Sequence, residues 1–367
     1  MLEVAGNRLP ATQGVHNRNR EKNVTDIDTK EGALSRRALF GGAAALGAVA
    51  AMGTLPALAQ AKMQTFLPPG VTPKPKGPAV FMDYDQDEIN YAYDQAPWAP
   101  NQAEISKRGA QRSEIALARL GKPKRLAYGP TDIEKVDIYS PRQTNAPINV
   151  FIHGGAWRGG SAAGAAGQAE LFVDHGAHLV AVDFNNVIET KGSLLVMADQ
   201  VRRAIAWTYK NAASFGGDPN RIYVSGSSSG AHLAGVALTT DWQKDYGVPG
   251  NVLKGGCCAS GMYELHPVSL SARASYANFD KETLEQLSSL RRLDRLNAPV
   301  VVYHGTAETT EFQRQNRDFA AAVKAAGKPV EFLVGQGYNH FEGFETYSSP
   351  YGILGRAVLE QMKLKTA

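Results

Sequence analysis

Downstream of residue 130, short apolar runs alternate with longer stretches in which apolar residues recur at helical spacing. The runs at 135–139, 148–152, 178–184, 221–224, 253–260, 300–303 and 330–334 have the length and apolar content of buried strands. Helical patterns occupy 163–175, 194–215, 283–290, 311–326 and 352–363, and a further one at 88–120 carries Tyr91, Tyr93 and Trp98. Strands apolar on both faces and separated by helices belong to a parallel sheet covered on both sides. The pattern therefore predicts an α/β fold, a mostly parallel central sheet with helices on both faces, in a single domain over 88–367. No internal repeat interrupts it. In such folds ligands bind beyond the carboxyl ends of the strands, so the loops there are where chemistry is sought.

One of those loops is distinctive. Ile222-Tyr223-Val224 leads into Gly226-Ser227-Ser228-Ser229-Gly230, and an apolar helix follows at 231–238. Only Ser228 has a glycine two residues away on each side. A serine on a sharp strand-to-helix turn needs small flanking residues, which let its hydroxyl project from the top of the sheet. Gly and Ser also crowd together in ordinary loops, so the strand before and the helix after carry the argument. Upstream, the strand at 148–152 runs into His153-Gly154-Gly155-Ala156-Trp157. Backbone N–H groups on a glycine loop can stabilise the oxyanion formed when a serine attacks a carbonyl. The candidates are Gly154, Gly155, Ala156 and, after the nucleophile, Ser229.

A nucleophilic serine needs a base, and the base needs an orienting acid. Of the eight histidines, His16 lies in the N-terminal segment, and His153 sits on the glycine loop, where it braces backbone. His232 lies on the helix after Ser228, and His175, His178, His266 and His304 lie near element ends. His340 follows the strand at 330–334 and the loop 335–339, late in the chain, where the order serine, acid, histidine places a base. The strand at 300–303 ends in His304-Gly305-Thr306-Ala307-Glu308, which aims the Glu308 carboxylate at His340. Glu311, three residues on, and Glu264, after the preceding strand, are the alternatives.

These residues resemble the kynurenine formamidase (arylformamidase) branch of the α/β-hydrolase superfamily, next to the esterases related to hormone-sensitive lipase. The resemblance runs from about Tyr91 to the C-terminus. It is carried by Tyr93-Asp94-Gln95 with Ala99-Pro100-Asn101, by His153-Gly154-Gly155-Ala156-Trp157 and by Ser260-Gly261-Met262-Tyr263-Glu264-Leu265. The run 308–315 and Asn339-His340-Phe341 complete it. The resemblance implies an α/β-hydrolase fold and carries the same three roles onto Ser228, Glu308 and His340. Two departures stand out: Glu308 occupies a position where the family usually has Asp, and the elbow reads Ser-Ser-Ser where His-Ser-Ala or Asp-Ser-Ala is usual.

The N-terminal segment adds an address. Ser35-Arg36-Arg37-Ala38-Leu39-Phe40 is a twin-arginine pattern, the weakly apolar stretch 41–55 follows, and Ala57-Leu58-Ala59 offers a cleavage site. Residues 1–59 are therefore expected to be an export signal read by the twin-arginine machinery through Arg36 and Arg37. The mature protein would start at Gln60, in the periplasm or outside the cell. The apolar stretch is too short and too rich in Ala and Gly for a stable membrane span. Residues 60–87 read as an extended arm, rich in Pro and Lys over 60–77, and 66–98 is a candidate lid.

Composition narrows the partners. The formal charge is +4, about half of it in 1–59, and the basic residues are scattered, which excludes a nucleic-acid footprint. Asp83, Asp85, Asp87 and Glu88 lack the Gly and the spacing of a calcium loop and read as solvated surface. The two cysteines, Cys257 and Cys258, are adjacent in a strand, so their side chains point to opposite faces as core residues. No metal set and no cofactor motif is present. Trp157, Asn185, Met262 and Tyr263 are the candidate pocket walls. The sequence thus points to an exported serine carboxylesterase working through a Ser-His-Glu triad and a covalent acyl-enzyme. The alternatives are an arylformamidase or other amidase with the same triad, and a non-catalytic binding protein on the same fold.

Overall fold

A computed structural model describes residues 62–366. The expected export signal, with Arg36, Arg37 and the cleavage site at Ala59, lies outside the described residues. Among the described residues eight strands form one sheet: β1 (Lys124–Ala127), β2 (Lys135–Tyr139), β3 (Ala146–Ile152), β4 (His178–Val182), β5 (Gly217–Ser227), β6 (Leu253–Ala259), β7 (Val300–Gly305) and β8 (Val330–Gly335). Their spatial order is β1-β2-β4-β3-β5-β6-β7-β8. β2 pairs antiparallel with β1 and β4, and every pairing from β4 through β8 is parallel.

Alternation along the strands divides the core into two layers. Ile148, Val150, Ile152, Val224, Cys258 and Val302 face one layer, with the helices Leu194–Asn211, Ser229–Leu238 and Thr310–Ala325. Phe151, Tyr223, Cys257, Val301 and Tyr303 face the other, with Ala166–Asp174 and Ile353–Gln361. Cys257 and Cys258 are both free and fully buried, one on each face. Each fully buried aliphatic side chain contributes roughly 1.5–3 kcal/mol of apolar burial.

Three expectations need correction. β1 was not expected: Lys-Arg-Leu-Ala is a mostly exposed antiparallel edge, and charges on an edge strand hide it from hydrophobic patterning while blocking further pairing. The helical pattern at 88–120 is broken into Gln86–Ala92, a short turn Ala96–Trp98 and Gln102–Leu120. Pro97 and Pro100 explain the break, since proline lacks an N–H and restricts the residue before it. The acidic cluster is half buried rather than solvated. Asp85 and Glu88 form a capping box at Gln86–Ala92, and Glu88 also accepts the Thr65 and Phe66 N–H groups and pairs with Lys76 at 3.1 Å. The arm is thereby folded back on this carboxylate, with Met63 bridged to Pro75. Among the described residues no helix is long and apolar enough to cross a membrane.

Candidate active site

The carboxyl ends of five adjacent parallel strands, β3, β5, β6, β7 and β8, bring the loops of interest into one row. Ser228 follows β5 with φ 55° and ψ −123°, a strained conformation for a non-glycine residue. Such backbone costs about 1–3 kcal/mol and persists only where the surroundings enforce it. Here a Cβ on Gly226 would collide with the Gly230 carbonyl, and one on Gly230 with the Ile152 carbonyl at the end of β3. The turn can be this tight only because both flanks are glycine. Ser228 N–H donates to Ala259 O at 2.8 Å, tying the turn to β6.

His340 opens a six-residue helix, His340–Glu345, after β8. Asn339 caps that helix by accepting the Phe341 and Glu342 N–H groups, while Glu342 accepts the Asn339 N–H. The cap fixes the imidazole, which packs edge-on against Phe312, Phe341 and Phe344. Its Nε2 lies 3.0 Å from Ser228 Oγ and its Nδ1 lies 2.9 Å from Glu308 Oε2. A carboxylate at Nδ1 holds the proton there and leaves Nε2 to accept from the serine.

Glu308, after β7, is held by its other oxygen. Oε1 accepts the Ser260 hydroxyl at 2.6 Å and the Gly305 N–H at 2.7 Å, short charge-assisted bonds that set the carboxylate plane. The two alternative acids are engaged elsewhere. Glu311 pairs with Arg314 and accepts Tyr93 OH at 2.7 Å. Glu264 pairs with Arg291, and although burial works against its charge, Arg291 and the His266 N–H hold its carboxyl below the usual range. Ser260, itself at φ 55°, is a member of this site that sequence reading missed; its place at the end of β6 was the available signal.

The glycine loop after β3 lies against the serine. A Cβ on Gly154 would stand 2.7 Å from Ser227 O and 3.2 Å from Ser228 Cβ, so only glycine fits. Gly155, Ala156 and Trp157 all have positive φ (112°, 54° and 61°). Trp157 anchors this strained run: its N–H donates to Ser229 Oγ at 3.1 Å and its Nε1–H to His232 Nδ1 at 3.2 Å. Among the described residues, the N–H groups of Gly154, Gly155 and Ala156 donate to no loop, side-chain or backbone acceptor. Ser229, first in its helix, has an N–H without an intrahelical partner, and the helix has no side-chain cap. Burial lowers the pKa of His153, stacked on Phe184, and takes His232 down to about 4, which favours the neutral ring in both.

Ser228, His340, Gly155 and Ala156 open into a cavity of about 260 Å³ whose walls include Asp94, Gln95, Arg158, Arg273, Phe341 and Phe344. The four expected pocket residues do not line it, which corrects the sequence reading. Trp157 (1% exposed), Met262 and Tyr263 (both 0%) are turned into the core, Tyr263 stacking on Phe319. Asn185 is bonded to Gln200 and Glu189. Residues 94–96, from the expected lid, form one wall. They are fastened from behind by Thr309 Oγ1 to Ala92 O and by Gln95 to Thr309. Among the described residues no cluster of three or more His, Cys, Asp or Glu is suited to a metal.

A serine elbow after the fifth strand of a mostly parallel, two-sided sheet defines an α/β-hydrolase. Comparison with known proteins agrees. The BD-FAE family matches residues 136–256. Kynurenine formamidase of Danio rerio is 27% identical over 293 residues, covering 76% of this chain and 96% of that protein. Isoprenylcysteine alpha-carbonyl methylesterase ICME of Arabidopsis thaliana is 25% identical, over 60% of this chain and 56% of its own. Esterase LipC of Mycobacterium tuberculosis is 26% identical over 63% of each chain. Among solved structures, propionate-bound esterase 2 of Thermogutta terrifontis superposes with a TM-score of 0.54 at 22% identity, over 66% of this chain and 95% of that one. The chain is a hydrolase with the α/β-hydrolase fold, similar to arylformamidases and to the hormone-sensitive-lipase-like esterases.

Proposed function

We propose that the protein is a serine carboxylesterase, exported by the twin-arginine route and acting through Ser228, His340 and Glu308. The observation that carries this reading is the unbroken chain of hydrogen bonds from Ser228 Oγ through His340 to Glu308, opening into a cavity beside unpartnered backbone N–H groups. Ser228 Oγ attacks the ester carbonyl as its proton passes to His340 Nε2. The carbonyl oxygen becomes an oxyanion facing the N–H groups of Gly154, Gly155, Ala156 and Ser229, where each donor is worth about 3 kcal/mol of barrier. Collapse breaks the bond to the alcohol oxygen, which leaves with the proton from His340. Water then attacks the acyl-serine, with His340 again taking and returning the proton. Glu308 keeps the imidazole in the reactive tautomer and stabilises its charged form.

A second reading, hydrolysis of an aryl formamide by the same groups, is favoured by the relative from Danio rerio, which this chain spans almost completely. One experiment separates the two. The kcat/KM of the full-length chain for short- and medium-acyl aryl esters is compared with that for N-formylkynurenine, beside the Ser228→Ala variant. Ester turnover that falls about 10⁴-fold or more in the variant, with little formamide turnover, supports the esterase. A formamide preference replaces it with the second reading, and undiminished ester turnover in Ser228→Ala rules out both. The export reading rests on Arg36 and Arg37: replacing both by lysine should retain in the cytoplasm a reporter carrying residues 1–59.

A further inference from the structure

A second chamber of about 220 Å³ adjoins the cavity at Ser228, and the two share Asp94, Ala156, Arg158 and Arg273 in their linings. Arg273 is only 8% exposed, yet among the described residues no carboxylate lies within ion-pair distance of it. Its Nε and Nη2 both donate to Tyr93 O, at 3.1 and 2.8 Å, and its Nη1 donates to Tyr276 OH at 3.2 Å. The guanidinium also lies 5.4 Å from the centre of the Trp157 ring. A guanidinium has five N–H donors, so two of them are left over. Some partly buried arginines are paired, Arg203 with Glu134 and Arg314 with Glu311. Arg202, Arg221, Arg292 and Arg295, of intermediate burial, also lack an acid among the described residues, but none of them lines either chamber.

Arg158 adds a second cation on the same wall. It stands 4.4 Å over the Tyr276 ring, and its guanidinium makes no hydrogen bond or ion pair among the described residues. Asp94 faces the same space; its Oδ1 accepts the Ala96 N–H at 3.2 Å, and it reaches neither arginine. The wall thus carries two positive charges and one negative. Arg158 and Asp94 are exposed, but Arg273 is buried, and a buried charge without a counter-ion is costly in solvation. That cost is recovered when a ligand supplies the missing anion, and the planar fork of arginine matches a carboxylate.

We propose that this wall binds a carboxylate carried by the substrate, so that the preferred esters are monoanionic. The inference rests on the reading of Ser228 as an ester-cleaving nucleophile and names the substrate class of that site. It makes Arg273 and Arg158 specificity-determining residues.

The test uses matched pairs that differ only in charge: 4-acetoxybenzoate against 4-acetoxybenzamide, with the anion on the alcohol side, and monoethyl adipate against ethyl adipamate, with it on the acyl side. Binding to the full-length Ser228→Ala variant is measured by calorimetry, and kcat/KM on the unmodified chain. In at least one pair the charged member should bind, and be turned over, about tenfold better or more, because a site built for a polar group rejects the analogue lacking it. Arg158→Gln and Arg273→Lys should each shrink that ratio severalfold, and 1 M NaCl should weaken it. Equal binding of both members in both pairs overturns the inference, as does a preference that survives both arginine variants. If neither ester is turned over, the esterase reading fails, while the calorimetry still decides whether the wall takes an anion.

Discussion

The floor and the rim of the cavity are built differently. At the floor, His340 is bonded at both ring nitrogens, Glu308 accepts from three donors, and Ser228 is pinned through its own N–H to β6. At the rim, the Arg158 guanidinium makes no hydrogen bond among the described residues, and buried Arg273 has only neutral partners. The floor is complete without a ligand, and the rim is not. Chemistry needs groups held to fractions of an ångström before the substrate arrives, whereas recognition leaves polar atoms for the substrate to satisfy.

The sharpest way to break this contrast is at the acids. Glu308→Gln keeps the shape of the side chain but can turn an amide N–H toward Nδ1, favouring the wrong tautomer. We expect kcat to fall about 10³- to 10⁴-fold with the melting temperature little changed. Glu311→Gln, three residues on, should leave kcat within about threefold and instead lower stability by about 1–3 kcal/mol, because Arg314 loses its buried partner. Steady-state kinetics and thermal melts of both variants decide. The reverse pattern would transfer the acid's role to Glu311.

A smaller effect tests the glycine loop. Gly154→Ala forces a methyl against Ser227 O and should reduce kcat about 10²-fold by displacing oxyanion donors, while Gly159→Ala, whose Cβ meets nothing within 4 Å, should keep activity within about threefold. Equal activity in the two variants would mean that the loop beside Ser228 is not held as tightly as the contrast requires.

The smallest effect at neutral pH concerns the support beneath the floor. His232 has its pKa lowered to about 4 by burial, against 6.5 when solvated. The unfolded chain therefore takes up a proton at His232 before the folded protein does. Its contribution to stability is complete above pH 6.5 and is lost as pH falls toward 4, by about 3 kcal/mol in all. His153 and His178, also lowered by burial, act in the same direction. Urea melts between pH 4 and 7 should show this acid loss, with a shallower slope in His232→Gln. An unchanged slope would show that His232 takes up its proton equally in both states.

Much of the architecture was legible because it rests on local rules. Strand alternation predicted the parallel sheet and put Cys257 and Cys258 on opposite faces. The elbow was readable because two backbones that close leave no space for a Cβ at Gly226 or Gly230. What patterning missed were the features that break it: the charged edge strand β1 and the prolines that divide 88–120. The buried pair Asp85 and Glu88 escaped too, because their partners lie up to 23 residues away.

By itself, then, the chain determined which loops gather at the carboxyl end of the sheet and which serine stands on the sharp turn. Local backbone sterics and the period of the apolar residues are written into neighbouring positions. Tertiary structure added what holds Glu308 against His340: Ser260, 48 residues away, donates to its other oxygen. It alone turned Trp157, Met262 and Tyr263 into the core and set Arg273 beneath the carbonyl of Tyr93, 180 residues away. A cavity wall is a sum of long-range contacts, and the direction of a side chain depends on what packs behind it.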